Sequence, residues 1–128
     1  MIRNAERSDY RSIKRLLKVG IVEGTLQPRK KKEIKKNLKR FVVAEEAGEV
    51  IGMASVVVYS RRIGEIRSLY VEPEHRGNGI ARELVQSVIA KPIAEVPCSV
   101  IFAITQTPEV FNGFDNKQGQ RHIIFKNI

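Results

Sequence analysis

The stretch PEHRGNGIARELV, residues 73–85, places two glycines one residue apart, directly before a run whose apolar side chains recur at helical spacing. A glycine-containing turn from a strand into a helix lets bare backbone N–H groups approach an anion, with the positive end of the helix dipole behind them. The spacing runs from Arg76 to Gly79 and Ala81, with Arg82 next. It is neither the Walker pattern, which also needs a lysine, nor a dinucleotide fingerprint, which needs glycines at other positions. On these residues alone two readings stand: a cradle for a phosphate group, or a turn that glycine makes with no ligand involved.

Working outward, Ile2 to Asn4 reads as a short extended piece leading into a helix from about Ser8 to Val19, with Ile13, Leu16 and Leu17 on one face and Gly20 as its stop. Residues 21–29 read as a loop punctuated by Gly24 and Pro28, and Lys30 to Lys39 as a second helix. Phe41 to Glu45 and Val50 to Tyr59 are β-rich runs around a hairpin turn at Glu46-Ala47-Gly48-Glu49. Arg61 to Gly64 reads as another turn, Glu65 to Val71 as a third long strand, and Gly79 to Ala90 as a helix broken by Pro92. Ser99 to Thr105 is a buried strand, Pro108 to Phe111 a short helical turn, and His122 to Lys126 a last strand. A meander followed by strand, helix and strand predicts a mixed α/β or α+β sheet with helices packed on it.

The 128 residues are enough for one compact domain, and at 42% hydrophobic they can build a core. The single cysteine, Cys98, can form neither an internal disulfide nor a multi-cysteine metal site, so no metal is expected. Charged residues recur from Arg3 onward, which does not fit a signal peptide, and the apolar runs are too short to span a bilayer. A cytoplasmic protein without membrane contact is the expectation. The net charge of +9 is concentrated in residues 29–40. Such a run is usually a solvated helix face. It lacks interleaved aromatics, and no zinc-finger or helix-turn-helix pattern accompanies it, which disfavours nucleic acid as a partner.

With its flanking strand included, EIRSLYVEPEHRGNGIARELV (residues 65–85) resembles the central acetyl-CoA motif of the GNAT superfamily of N-acetyltransferases. That motif is a strand ending in an apolar-x-apolar triplet, a proline-containing turn, Arg/Gln-x-x-Gly-x-Gly/Ala and an amphipathic helix. The resemblance covers most of the chain and implies a single domain over residues 1–128. The implied fold is a mixed, mostly antiparallel sheet with helices on both faces and splayed central strands. It further implies that Leu69, Tyr70 and Val71 offer backbone groups to the pantetheine arm of acetyl-CoA. Arg76, Gly77, Asn78, Gly79, Ile80, Ala81 and Arg82 would wrap the pyrophosphate.

Acetyl transfer needs a neutral amine, a polarised thioester and a proton for the departing thiolate, and a carboxylate can serve as base. Glu65 stands where several GNAT enzymes place a glutamate base. Many members carry a tyrosine acid in the short helix after the fifth strand, but here that position is Phe111 in TPEVFNGF, which leaves Tyr70 or a water as proton donor. GTLQPRKKKEIKKNLKRFVVAEEAGEVIG and VIFAITQTPEVFNGF resemble acetyltransferase domains of the N-acetylglutamate synthase type. That likeness implies a small amine acceptor such as L-glutamate, acetylated on its α-amine, with Arg29 and Arg67 as candidates to meet a substrate carboxylate.

Two departures keep other readings open. The familiar FxxLGF is shortened to Phe111-Asn112-Gly113-Phe114, and the closing hairpin that builds the acceptor edge is short, with RHIIFKNI supplying a final strand. The acceptor could instead be a protein lysine or another small amine, or the chain could bind acetyl-CoA as a non-catalytic sensor. Family members often pair through their last strands, so a homodimer is also left open.

Overall fold

The computed structural model describes residues 1–114, 117–118 and 121–127. One seven-stranded sheet runs through it in the order β1-β2-β3-β4-β5-β7-β6. The strands are β1 Ile2–Asn4, β2 Phe41–Glu46, β3 Glu49–Val58, β4 Ile63–Val71, β5 Val100–Thr105, β6 Lys117–Gln118 and β7 Arg121–Asn127. The first four are antiparallel, while β4–β5 and β5–β7 are parallel. The expected last strand is therefore present, although Ile128 at its end lies outside the described residues.

Three helices cover the sheet: α1 Tyr10–Val22, α2 Lys31–Lys36 and α3 Ile80–Ile89. Because β2 alternates across the sheet, its inward residues divide between two cores. Val42 and Ala44 join Leu84, Val85, Val88 and Ile89 of α3 on one face, and Phe41 and Val43 join Ile13, Leu16 and Leu17 of α1 and Ile34 of α2 on the other. This three-layer arrangement is the mixed fold that the sequence predicts. Among the described residues, no helix is long and apolar enough to cross a membrane.

Several boundaries move for physical reasons. Gly20 does not stop α1, which continues to Val22. A Cβ there would lie 2.4 Å from Leu26 Cδ1, so the glycine admits Leu26 against the helix rather than ending it. The second helix is shorter than predicted, giving way to a 3-10 turn at Leu38–Arg40. The hairpin at Ala47-Gly48 does form, with φ of 50° and 81°, the pair of positive values a two-residue turn requires. The lysine run lies on solvated faces, where Lys31 above all, with Lys18 and Lys35, holds the Lys14 ammonium below its ordinary range.

Candidate active site

The turn after β4 folds as the glycines allow. A 3-10 turn at Pro73–His75 leads to Gly77 (φ 85°) and Gly79 (φ 80°), and Gly79 is the N-cap of α3. Gly79 has no side chain with which to cap this helix, so the N-cap residue leaves the first N–H groups of α3 uncapped. A Cβ built on either glycine would meet no protein atom within 4 Å. The space is a cavity of about 570 Å³. Of the residues expected at the cofactor, all but Asn78 line it. Asn78 is exposed and turns its amide toward the His75 carbonyl.

Two arginines tie this turn and the helix start to neighbouring segments. Arg76 donates from Nε to the Val71 carbonyl at 2.7 Å and from Nη2 to Glu23 Oε2 at 3.3 Å, with its guanidinium over the Tyr70 ring. Arg82 donates to the carbonyls of Val110 and Asn112 and lies over the Phe114 ring, tying the start of α3 to the segment after β5.

Strands β4 and β5 pair only from Ile63 to Glu65 and from Val100 to Phe102. Beyond Glu65 they part, so the β4 edge presents backbone groups without a neighbouring strand. The gap holds a second cavity of about 450 Å³, with Glu65, Arg67, Ser68 and Thr105 in its wall. Thr25, Leu69 and Thr107 line both cavities and mark where they meet. The Thr107 N–H donates to Thr105 Oγ1 at 2.9 Å, which orients the start of the Pro108–Phe111 turn.

Glu65 in the wall of the second cavity is also bonded from outside the lining: the Tyr59 hydroxyl donates to its Oε1 at 2.6 Å. Tyr59 stacks on Phe102 with ring centroids 6.3 Å apart. The bond to Glu65 chiefly pushes the Tyr59 phenol up, and the nearby Arg67 guanidinium pulls against it. A carboxylate, a phenol and a guanidinium thus converge where β4 leaves β5.

Two expected roles do not fit the placement of their residues. Tyr70 is buried among α1 and α2 residues and lines the first cavity, not the one that holds Glu65. A hydroxyl there, pushed up chiefly by burial, is poorly placed to protonate a sulfur at the junction. Arg29 lines neither cavity; its side chain is only 2% exposed and is held by Glu33, Ser55 and Ser68. Arg67 lies in the wall of the second cavity. Phe111 is buried against Phe125 and offers no proton.

Sequence reading missed Tyr59, Thr25 and Thr107. A hairpin between residues 59 and 65 was legible and could have paired Tyr59 with Glu65. Nothing local marks the threonines, which meet only through the fold. Among the described residues, no group of three His, Cys, Asp or Glu side chains is placed to hold a metal. Cys98 is buried, and its burial raises the thiol.

The chain is similar to an uncharacterised N-acetyltransferase of Chlorobaculum tepidum, with 32% identity over 95% of this chain and 76% of that protein. It is similar to an amino-acid acetyltransferase of Ralstonia nicotianae, with 29% identity over 84% of this chain and 24% of that one. Its fold is similar to that of N-acetylglutamate synthase from Neisseria gonorrhoeae, solved with coenzyme A and N-acetyl-glutamate. The TM-score is 0.73, with 26% identity over 87% of this chain and 26% of that one. The chain therefore spans about a quarter of the two longer proteins. Residues 2–111 match the acetyltransferase (GNAT) family, and with this coverage the chain belongs to the GNAT family of N-acetyltransferases.

Proposed function

We propose that this chain transfers the acetyl group of acetyl-CoA to a primary amine, with the α-amine of L-glutamate or a related amino acid as the leading acceptor. The observation that carries the reading is the joining of two cavities at Thr25, Leu69 and Thr107, with an uncapped helix start at one end and Glu65 with Arg67 at the other. The residues fit the cosubstrate, because Gly77 and Gly79 leave open space where a diphosphate can rest against backbone N–H groups.

Acetyl-CoA supplies an activated thioester. The Glu65 carboxylate accepts the proton that the amine must shed as its nitrogen bonds to the acetyl carbon and the carbon–sulfur bond breaks. Backbone N–H groups on the unpaired β4 edge steady the negative charge on the carbonyl oxygen. The Thr107 hydroxyl stands at the junction to donate a hydrogen bond to the departing sulfur, which takes its proton from solvent. Arg67 offers a guanidinium to one acceptor carboxylate.

A second reading changes only the acceptor. With Arg29 withdrawn from the cleft, Arg67 is the one guanidinium in the described lining of the second cavity, whose wall also includes Ala103 and the half-exposed Ile104. That lining, with one guanidinium beside an apolar patch, also admits a monocarboxylate amine or the aliphatic stem of a lysine side chain.

Acetyl-CoA titration by calorimetry, followed by thiol-release assays on glutamate, other amino acids, polyamines and lysine peptides, separates these readings. Binding with turnover on glutamate supports the first reading, and turnover confined to another amine the second. Binding without turnover on any amine indicates a sensor, and no binding removes the cradle assignment.

A further inference from the structure

Ser68 sits inside β4 with φ of 58°, a left-handed value that side-chain-bearing residues rarely adopt. The other described non-glycine residue with positive φ, Ala47, lies in a hairpin turn where the chain reversal requires it. No turn explains Ser68. Register accounts for part of it, because Met53 pairs with Tyr70 while Ser55 pairs with Arg67. Ala54 therefore faces both Ser68 and Leu69, and the extra residue makes a bulge. The bulge lies a few residues beyond Glu65, the last residue of β4 paired with β5.

Arg29 brackets this bulge. Its Nη1 donates to Ser68 Oγ at 3.0 Å and to Ser55 Oγ at 2.8 Å. The Ser55 hydroxyl in turn donates to the Arg67 carbonyl at 2.9 Å. One nitrogen thus ties the strained residue of β4 to β3 and, through Ser55, to the residue just before it. The guanidinium is held in place by Glu33 at 3.2 Å and lies 5.1 Å from the centroid of the Phe41 ring. Burial pulls its pKa down, so the fold keeps a costly group in a position that touches neither cavity.

We propose that Arg29 is a positioning residue. It holds Ser68 in its left-handed conformation and so aims the unpaired edge of β4, with Leu69 at the junction of the two cavities, toward the reacting carbonyl. The inference rests on the acetyltransferase reading of the cleft. It assigns to Arg29 no contact with either substrate.

Four variants test this: Arg29→Met, Ser55→Ala, Ser68→Gly and Arg29→Met with Ser68→Gly. Glycine adopts positive φ without a clamp, so adding Arg29→Met to Ser68→Gly leaves kcat near that of Ser68→Gly, the reference that absorbs any effect of losing the Ser68 hydroxyl from the cavity wall. Arg29→Met lowers kcat by roughly 10- to 100-fold, the loss expected from a shift of about an ångström at the reacting centre. The KM for acetyl-CoA stays within about threefold, because the cradle of Gly77 and Gly79 lies on another element. Measured from Ser68→Gly, the double variant shows little of this loss, and Ser55→Ala, a milder change should Arg29→Met fold poorly, shows a smaller loss that a Ser68→Gly background also relieves. Backbone NMR couplings at residue 68 give a readout independent of turnover: φ moves to extended values in Arg29→Met and is unchanged in wild type. A raised acceptor KM with unchanged kcat would make Arg29 a direct ligand and overturn the proposal, as would positive φ persisting in Arg29→Met or a double variant as far below Ser68→Gly as Arg29→Met is below wild type. If the wild-type chain acetylates no amine while φ still moves, the clamp stands and the catalytic reading of the cleft fails.

Discussion

Replacing Gly79 by alanine separates the two readings of the glycine turn, and Gly48→Ala supplies the control. The residues share a positive φ, 80° and 81°, and in neither would a Cβ meet a protein atom within 4 Å. Each substitution therefore costs stability through strain alone, about 1 kcal/mol, which is roughly 4 °C in Tm for a chain of this size. They differ in surroundings. Gly48 lies in the β2–β3 hairpin, whereas Gly79 lines the first cavity at the uncapped start of α3. If a diphosphate rests there, the added methyl displaces it from charge-assisted N–H bonds worth about 1.5–3 kcal/mol, a weakening of roughly 10- to 150-fold. Scanning calorimetry on both variants and titration calorimetry with acetyl-CoA read the two effects separately. Similar losses in Tm with an affinity loss confined to Gly79→Ala are expected. Equal affinities in the two variants would mean that Gly79 only makes a turn, and unchanged affinity in the bulkier Gly79→Trp would sink the cradle outright.

Glu65→Gln is expected to leave acetyl-CoA affinity unchanged and to slow turnover, with the relative loss largest at low pH, where a base is scarce; wild-type rates in a thiol-release assay would remove Glu65 from the chemistry. Gly20→Ala sets helix propensity, which favours alanine by about 1 kcal/mol, against a Cβ 2.4 Å from Leu26 Cδ1. Overpacking of about 1–3 kcal/mol prevails, so Tm falls, and a rise would show that Leu26 yields freely. Asp9 is held below the ordinary carboxylate range, first by the Arg3 guanidinium, which binds it through two nitrogens at 2.7 and 2.9 Å. Its folded value lies below its unfolded one, so its contribution is present above about pH 4 and is lost as pH falls through the lower folded value. Asp9→Asn should therefore lower stability at pH 7 by about 2–4 kcal/mol and flatten the acid limb of the stability curve, which denaturant titrations at pH 3 to 7 would check.

What the sequence determined by itself is what short-range physics controls. Ala47-Gly48 turns the hairpin because its neighbours extend as strands, and Pro73 with Gly77 and Gly79 shapes the loop into α3 through their own dihedral freedom. Apolar spacing put Ile13, Leu16 and Leu17 on one helix face and Leu84 and Val88 on another, because helical period is a local property. The residues expected at the cofactor all fall in one strand–turn–helix unit, and all but Asn78 line one cavity.

Only the tertiary structure decided the rest, because those outcomes depend on partners distant in the chain. Gly20 reads as a helix stop until Leu26 is seen to pack on it. Arg29 reads as a surface charge free to meet a substrate, yet two hydroxyls, 26 and 39 residues away, hold it buried and outside the lining of either cavity. Tyr70 shares the α1/α2 face with Glu65 only because the bulge at Ser68 shifts the alternation of β4, yet it lines the other cavity. Thr25 and Thr107 come from loops at opposite ends of the chain and meet only once β4 and β5 have parted. Dihedral preference and periodicity are properties of a few neighbouring residues. The meeting of two cavities is a property of the packed sheet.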